Sequence, residues 1–383
     1  MNADERQSEP AHRHPSRRRL LLSAAGGAAA LAAVGGAAWW VRRDPDTSHR
    51  LWSRTGTGGR IALSAPPRSE LYAAGLDGTV AALDLRTGAA RWSTAVGSRE
   101  PANPSSGWPI AAGDGLVCVA TDSHVQALDA ASGALRWAAR PPEALVPGPP
   151  GGLAVGGGAV LATYGDRLQA YAAATGEQRW SAAMAGAHAP VVADGTVYLA
   201  GFEEGVVALD AAGGERRWEQ RAFGGLTGTP VVGRGVVHVT TADPGAPAVL
   251  ALDAATGRVR WRRSDLGFCL LAPRSVADGT LCLDRGDRVT ALDSATGETR
   301  WSVTVPSGLG AGMSSTTAAD GMVYVALNDD RLHALDLASG RLRWRDEPSA
   351  LGTEYSGLSL AAHGGIVYRG SRTGVYAAAD SPA

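Results

Sequence analysis

A short motif returns seven times along this chain, and no other feature constrains the fold as strongly. In its first copy, Ala82 and Asp84 are followed by Gly88 and then by Trp92. The motif tryptophans are Trp92, Trp137, Trp180, Trp218, Trp261, Trp301 and Trp344. They lie 38 to 45 residues apart. A fixed period of this length predicts one supersecondary unit that is repeated and stacks on its neighbours.

Each period contains four short segments that are rich in Val, Leu and Ala. In the fourth period these segments are residues 189–192, 196–200, 205–210 and 216–219. Asp-Gly pairs separate the first two segments in several copies, and such pairs favour the tight turn of a β-hairpin. Four antiparallel strands in about 42 residues, repeated many times, are typical of a β-propeller blade.

The two ends of the chain carry complementary halves of a further repeat. Trp52 lies 40 residues before Trp92 and has no preceding repeat, whereas residues 375–380 begin a repeat that no Gly and no Trp completes. Together they make an eighth unit. We therefore predict an all-β, eight-bladed β-propeller of four-stranded antiparallel blades, with the last blade closed by both termini. The alternative, an open solenoid, would need capping repeats.

The pattern Ala-x-Asp-x-x-x-Gly-x-x-x-Trp resembles the tryptophan-docking motif of propeller repeats of the pyrroloquinoline quinone (PQQ) type. The resemblance covers residues 50–383, and its aspartate is missing only at Ala172 in the third copy. That family includes quinoprotein dehydrogenases, an outer-membrane-assembly lipoprotein and bacterial sensor domains. The resemblance therefore implies the fold and leaves the function open.

The repeated residues are interpreted as structural. Each aspartate can accept backbone N–H bonds in the turn that follows it, and each indole can stack on the next blade with its N–H bonded to a carbonyl. The predicted docking residues are Trp52 and the seven motif tryptophans, together with Asp84, Asp129, Asp210, Asp253, Asp293 and Asp336. An arginine precedes each motif tryptophan, and its charge discourages edge-to-edge pairing of the outer strands. A ring of seven such arginines could instead bind an anionic surface.

The N-terminal segment is interpreted as a targeting signal. Residues 16–21, Ser-Arg-Arg-Arg-Leu-Leu, resemble a twin-arginine export signal and lead into an uncharged run at residues 20–41. At about 1.5 Å per residue such a run could just cross a bilayer. We predict that residues 1–43 are an export signal or N-terminal membrane anchor and that 44–383 are the propeller. Cleavage stays open, since small residues precede two tryptophans there.

Composition and charge exclude some classes of function. The net charge is -1, and residues 1–43 hold 7 Arg against 3 acidic residues, which leaves a mildly acidic body. We therefore expect no nucleic-acid partner. The three cysteines, Cys118, Cys269 and Cys282, are too few for a disulfide framework, and their redox state is left open. We expect a monomer that contacts a membrane only through residues 20–41.

A ligand or partner is expected on one face of the ring, where the second-to-third-strand loops and the connections between blades meet around the channel. Within residues 44–383, Trp108 is the one tryptophan outside the docking series. It therefore either lines the mouth of the central channel or plugs it. His188 is a lone imidazole, and a metal site needs further ligands. The channel-face candidates are Trp108, His188, Thr229, Ser315, Glu354 and Tyr355.

The resemblance also raises the question of catalysis. Quinoprotein dehydrogenases carry adjacent cysteines, a bound Ca²⁺, a catalytic aspartate and long insertions, whereas here no two cysteines are adjacent and every repeat is short. We expect no catalytic residue, no metal and no cofactor. The sequence therefore favours an exported propeller that binds or scaffolds an envelope protein. The alternatives are a small PQQ-dependent oxidoreductase with PQQ and Ca²⁺, and an extracytoplasmic sensor of a small ligand.

Overall fold

The structure is a computed structural model. It describes residues 41–42, 49–55, 59–63, 70–75, 77–97, 108–121, 123–141, 151–184, 186–201, 205–221, 225–241, 247–266, 273–305, 313–327, 331–346, 359–371 and 374–380. The predicted export signal lies outside these residues, except for Val41 and Arg42. Within the described residues there is no helix of the length and apolarity that a membrane crossing requires.

The first four blades follow one another along the chain. Blade 1 contains β3 (Gly59–Leu63), β4 (Leu71–Gly75), β5 (Thr79–Leu83) and β6 (Ala90–Ala95). Blade 2 contains β7 (Ile110–Gly113), β8 (Leu116–Ala120), β9 (Val125–Asp129) and β10 (Leu135–Ala139). Blade 3 contains β11 (Gly152–Gly156), β12 (Ala159–Tyr164), β13 (Arg167–Ala172) and β14 (Gln178–Ala183). Blade 4 contains β15 (Val191–Ala193), β16 (Thr196–Gly201), β17 (Gly205–Asp210) and β18 (Arg216–Gln220).

The remaining blades repeat this order until the ring closes. Blade 5 contains β19 (Leu226–Gly233), β20 (Val236–Thr241), β21 (Val249–Asp253) and β22 (Val259–Arg263). Blade 6 contains β23 (Pro273–Ala277), β24 (Thr280–Arg285), β25 (Arg288–Asp293) and β26 (Thr299–Thr304). Blade 7 contains β27 (Met313–Ala319), β28 (Met322–Leu327), β29 (Leu332–Asp336) and β30 (Leu342–Asp346). Blade 8 joins β31 (Ser359–His363), β32 (Ile366–Gly370) and β33 (Gly374–Ala379) to β2 (Arg50–Thr55), outside which lies β1 (Val41–Arg42).

The eight-bladed, all-β prediction is confirmed. Each sheet is antiparallel, and β2 from the N-terminal part of the chain pairs with β33 from the C-terminal part, with Ser53 opposite Tyr376. The innermost strands contact each other in sequence around the ring, and β3 of blade 1 also contacts β31 of blade 8. Both termini therefore close the last blade. The strand β1 adds to the outer edge of that blade and lies before the boundary predicted at residue 43.

The same cross-strand arrangement recurs in every blade. In blade 1, Trp92 on the outer strand stands opposite Ala82, which stands opposite Tyr72 on the second strand. The small alanine, only 1% exposed, leaves room for the indole between two blades. The second-strand residues at this position are Tyr72, Cys118, Leu161, Tyr198, His238, Cys282, Tyr324 and Tyr368. Each contact region between neighbouring blades is therefore an apolar layer with at least one large ring.

The turns between first and second strands adopt left-handed backbone conformations. Asp194, Asp278 and Asp320 have φ values of 48°, 48° and 53°, and a glycine with positive φ follows each. This conformation matches the tight hairpins that the Asp-Gly pairs predicted. Asp114 lies at the same turn position in blade 2. Its carboxylate accepts the Gly158 N–H of blade 3 at 2.9 Å, so this aspartate also connects neighbouring blades.

Candidate functional site

Seven of the eight outer-strand tryptophans cover the turn between the third and fourth strands of the next blade. Trp261 donates its indole N–H to the Ser294 carbonyl at 3.1 Å, and its ring lies on the backbone of Gly297. A Cβ at Gly297 would stand 2.7 Å from the ring, so only glycine fits there. The other indole bonds are Trp52 to Leu85, Trp92 to Ala130, Trp137 to Ala173, Trp180 to Ala211, Trp218 to Ala254 and Trp301 to Leu337, at 2.8 to 3.3 Å.

The motif aspartates organise the turns that these rings cover. In blade 5, Asp253 Oδ1 accepts the Thr256 backbone N–H at 2.9 Å and the Thr256 hydroxyl at 2.8 Å. Its Oδ2 pairs with the Arg260 guanidinium at 2.6 Å. These bonds, with that of Arg260 the largest, lower the pKa of Asp253 to about 2. In blade 3, Ala172 offers no such acceptor, although the Thr175-Gly176 turn is retained.

The arginines before the tryptophans largely face their own blade's aspartate. Five of them make an ion pair with it: Arg91, Arg136, Arg217, Arg260 and Arg300. In these five, the aspartate offsets the charge that an anion-binding ring would use, and the anion-binding alternative stays a prediction. In blade 3 the aspartate position is Ala172, so Arg179 lacks this ion-pair partner. In blade 7, Arg343 makes no ion pair with any described residue.

The contact between blades 7 and 8 is built differently from the other seven. In blade 8 the third strand, β33, and the fourth strand, β2, are far apart in sequence, and no described glycine turn joins them. Trp344 stacks instead on the His49 ring at 4.7 Å and 14°. The His49 Nδ1 lies 3.1 Å from the Ala379 carbonyl. The Trp344 Nε1 is buried and finds no acceptor in the described part of the chain.

Charged side chains complete this closing contact. Arg50 on β2 and Asp346 on β30 form an ion pair at 3.1 Å, with both side chains only 3% exposed. The Arg50 guanidinium also lies 4.9 Å from the centre of the Tyr376 ring. Arg369, 1% exposed, reaches the Tyr376 hydroxyl at 3.3 Å and the Leu327 carbonyl at 3.4 Å. Sequence reasoning missed these residues; the missing glycine of the eighth unit was the available signal.

Trp108, the first channel-face candidate, is part of the core between blades 1 and 2. It is 4% exposed and packs in an apolar cluster with Tyr72 and Val119. Its ring lies against Gly97, where a Cβ would be 2.9 Å from the indole. Trp108 thus fills the space between two blades, and its buried Nε1 has no partner in the described chain. A binding role for Trp108 stays a prediction.

The structure brings His188 and the start of β19 together. The Gly228 N–H donates to His188 Nε2 at 3.0 Å, which places Thr229 beside the imidazole; both His188 and Thr229 are half-buried. Ser315 is half-buried on the innermost strand of blade 7, where the neighbouring Thr316 donates to Asp284 at 2.9 Å. No described contact joins Ser315 to His188. Glu354 and Tyr355 lie outside the described residues.

The two described cysteines are not adjacent, unlike the cysteine pair that the resemblance associates with PQQ enzymes. Cys118 and Cys282 are buried in blades 2 and 6, and burial raises the pKa of Cys282 to about 12. Among the described residues, no three His, Cys, Asp or Glu side chains form a group that could hold a metal ion. The absence of PQQ and Ca²⁺ stays a prediction, and Cys269 lies outside the described residues.

The fold and its docking contacts define a β-propeller of PQQ-type repeats. The family model described as outer membrane protein assembly factor BamB matches residues 24–263, 164–307 and 248–381. The chain belongs to this family. No curated protein matches the sequence.

Three solved structures show the same fold. The computationally designed Ika8 protein has a TM-score of 0.68 and 15% identity, covering 85% of this chain and 97% of that chain. BamB from Moraxella catarrhalis has a TM-score of 0.64 and 20% identity, covering 86% and 96%. Quinohemoprotein alcohol dehydrogenase from Comamonas testosteroni has a TM-score of 0.60 and 16% identity, covering 88% and 78%. At these identities the similarity establishes the fold alone.

Proposed function

We propose that this chain is an exported propeller that binds or scaffolds an envelope protein through the channel face on which His188, Thr229 and Ser315 lie. The observation that carries the proposal is a difference between the two faces of the ring. On the face of the third-to-fourth-strand turns, the repeated Asp, Gly and Trp side chains are occupied in holding the blades together. The opposite face carries connections between blades whose sequences differ from one blade to the next.

The proposed location is outside the cytoplasm, secreted or attached by the N-terminus. Two observations support it. Residues 16–21 resemble a twin-arginine signal ahead of an uncharged run, and the matching family model is described by an outer membrane assembly factor. Fractionation of cells that express Arg17→Lys together with Arg18→Lys tests this location: the double variant should stay in the cytoplasm, and full export of it would refute the proposal.

Site-specific crosslinking tests the binding face. A photoreactive residue at Thr229 of the full chain should yield adducts with an envelope protein. The matched control is Ala255, which is exposed in the same blade on the opposite face, and it should yield none. Equal adducts at both positions, or adducts only at Ala255, would overturn the assignment of the face. Trp108→Ala is a poor probe, because its burial makes loss of stability the first expected effect.

A binding role also predicts that the purified protein neither retains PQQ nor oxidises alcohols or sugars when Ca²⁺ is present. Among the described residues, no three His, Cys, Asp or Glu side chains form a group that could hold a metal ion. The absorbance spectrum and dye-linked turnover after incubation with PQQ and Ca²⁺ measure this directly. Stoichiometric PQQ with turnover would replace the binding proposal with the oxidoreductase alternative.

A further inference from the structure

The innermost strand of blade 5 contains a bulge. On β19, the register with β20 is regular up to Thr227 and resumes at Val231, so residues 228–230 have no partner in it. The innermost strands β23 and β27 each leave a single residue unpaired in this way. Gly228 has a φ of 82°, a conformation that favours glycine, and Pro230 within a strand is typical of a bulge. We call residues 228–230 the β19 bulge.

The β19 bulge is contacted from the neighbouring blade by His188. The backbone of His188 is fixed to β16 of blade 4, because its N–H donates to the Ala200 carbonyl at 2.9 Å and the preceding Ala187 forms a β-bridge with Gly201. From this position the imidazole reaches the bulge, where the Gly228 N–H donates to His188 Nε2 at 3.0 Å. One nitrogen atom therefore connects blade 4 to the start of β19.

The same nitrogen faces a second backbone group, which is an acceptor. The Leu226 carbonyl oxygen lies 3.3 Å from His188 Nε2. An imidazole nitrogen either carries a proton and donates, or presents a lone pair and accepts. Nε2 therefore accepts from Gly228 only while it is unprotonated, and it donates to Leu226 only when it is protonated. In an imidazolium both ring nitrogens are donors, so the Nε2–H would oppose the Gly228 N–H.

The described contacts of the His188 ring are all with backbone groups. The adjacent strands β15, β16 and β19 carry one titratable side chain, Tyr198. Its hydroxyl donates to the Ala254 carbonyl at 3.2 Å, in the turn between the third and fourth strands of blade 5. Glu203 and Glu204, which follow β16, lie outside the described residues. Among the described groups, the imidazole itself is therefore the one whose protonation changes this contact.

We propose that protonation of His188 replaces the Gly228 N–H by the Leu226 carbonyl as the partner of Nε2 and so releases the β19 bulge, which makes binding at the channel face depend on pH. This inference rests on the function proposed above, because Thr229 of the bulge belongs to the proposed binding face. Imidazoles change charge between about pH 5 and about pH 8. At the upper end of this range the bulge is held and the partner binds; at the lower end the bulge is released and binding weakens.

The position of the proton on the neutral ring gives the first test, and it needs no partner protein. Nitrogen NMR of the full chain with isotope-labelled histidine distinguishes a proton on Nδ1 from one on Nε2. The signal that disappears in His188→Gln belongs to His188. We expect the neutral ring to carry its proton on Nδ1, as acceptance from Gly228 requires. A proton on Nε2 of the neutral ring would overturn the proposal.

The second test measures crosslinking from a photoreactive residue at Thr229 at two pH values. Between about pH 7.5 and about pH 5.5 we expect the adduct yield to fall about fivefold, which corresponds to the loss of one hydrogen bond. In His188→Gln the side-chain amide oxygen can accept the Gly228 N–H and does not titrate. The ratio of the two yields should therefore stay near one in this variant, whatever its yield at the higher pH.

His363→Gln is the matched control. His363 is also half-buried on an innermost strand, β31, where it stands opposite Ile366 at the turn between the first and second strands. This variant should show the same fall in yield as the parent protein. A fall that persists in His188→Gln, or that is lost in His363→Gln, would overturn the proposal.

The two tests also separate this inference from the proposed function. Adducts at Thr229 whose yield does not change with pH would refute the control by His188 and leave the binding face in place. Absence of adducts at both pH values would refute the binding face and, with it, the control of binding. The NMR result reports on the ring in either case, because it is measured without a partner.

Discussion

Seven of the eight contacts between blades are made with a glycine turn, and the eighth is made without one. At the seven, an indole lies on a glycine backbone and donates its N–H to a carbonyl, as Trp261 does over Gly297. At the eighth, Trp344 lies on His49 and its N–H has no acceptor among the described residues. A ring closed by its two termini has no continuous turn at this point, so side chains replace the backbone as the docking surface.

A second hydrogen bond between neighbouring blades is also replaced by a side-chain contact where the ring closes. Two residues after the tryptophan, a donor often reaches the carbonyl of the docking glycine: Thr94 reaches Gly133 at 2.7 Å and Arg54 reaches Gly88 at 2.9 Å. In blade 7 this position is Asp346, which cannot donate when ionised, and Arg50 of blade 8 supplies the donor. In the closing contact, therefore, the outer strand of blade 7 supplies the acceptor, Asp346, and blade 8 supplies the donor, Arg50. No other blade offers this donor. A polar pair of this kind can act as a registry device.

Removal of the closing blade is expected to have the largest effect. Deleting residues 364–383 removes β32 and β33 and leaves β2 paired only with the two-residue β1. The opened ring would expose unpaired strand edges, so we expect aggregation in place of a folded monomer. Size-exclusion chromatography and circular dichroism measure this, with deletion of residues 381–383 as control. A well-folded monomer without residues 364–383 would show that closure is dispensable.

Tryptophan truncation compares the two kinds of contact directly. Trp261→Ala leaves a cavity between blades 5 and 6 and loses the bond to Ser294, so we expect a loss of roughly 3–5 kcal/mol in the free energy of unfolding. Trp344→Ala leaves a similar cavity but removes a buried N–H that has no acceptor among the described residues, so its cost should be smaller by about 1 kcal/mol. Urea denaturation of both variants measures the two losses in the free energy of unfolding. Equal losses would contradict the expected difference between the two kinds of contact.

Most of the fold could be predicted from the sequence because each repeat carries its own turn, docking glycine and tryptophan. The period, the four strands and the split eighth blade all follow from residues such as Asp84, Gly88 and Trp92. The closing contact could not be predicted, because His49, Arg50 and Asp346 belong to no repeated pattern. Their meeting depends on the three-dimensional closure of the ring.

The candidate site was predicted less well, and the reason is burial. Trp108 stood out as the tryptophan outside the series, but sequence alone could not distinguish a channel lining from a plug, and the structure places it in the core. His188 and Thr229 were selected separately, and only the structure shows that the Gly228 N–H connects them. Periodicity identifies positions that differ between blades and does not reveal which of them face solvent.

Breaking the buried ion pair tests the closing contact from the charged side. Asp346→Ala leaves Arg50 buried without this carboxylate, and we expect a loss of about 3 kcal/mol in the free energy of unfolding. Asp265→Ala removes the exposed partner of Arg263 and should cost less than about 1 kcal/mol. Chemical denaturation of the two variants gives the comparison. Similar small losses would mean that the buried pair adds nothing to closure.

The third blade offers the smallest and most selective test, because it keeps the docking glycine and lacks the aspartate. Ala172→Asp should restore the acceptor for the turn at Thr175 and a partner for Arg179, as Asp253 provides for Thr256 and Arg260. We expect a gain of about 1 kcal/mol in the free energy of unfolding at pH 7. Ala172→Asn is the matched control, since it restores the acceptor without the charge.

The pH dependence separates the two contributions of the introduced aspartate. Asp253 and Asp293 have their pKa lowered to about 2, by the ion-pairing arginine first and by turn hydrogen bonds next. A carboxylate with a depressed folded pKa stabilises fully above its unfolded pKa of about 4 and loses this stabilisation as the pH falls through its folded value. The advantage of Ala172→Asp over Ala172→Asn should therefore persist at pH 7 and vanish as the pH falls from about 4 to about 2. An advantage that survives at pH 2 would show that the aspartate acts through packing and not through its charge.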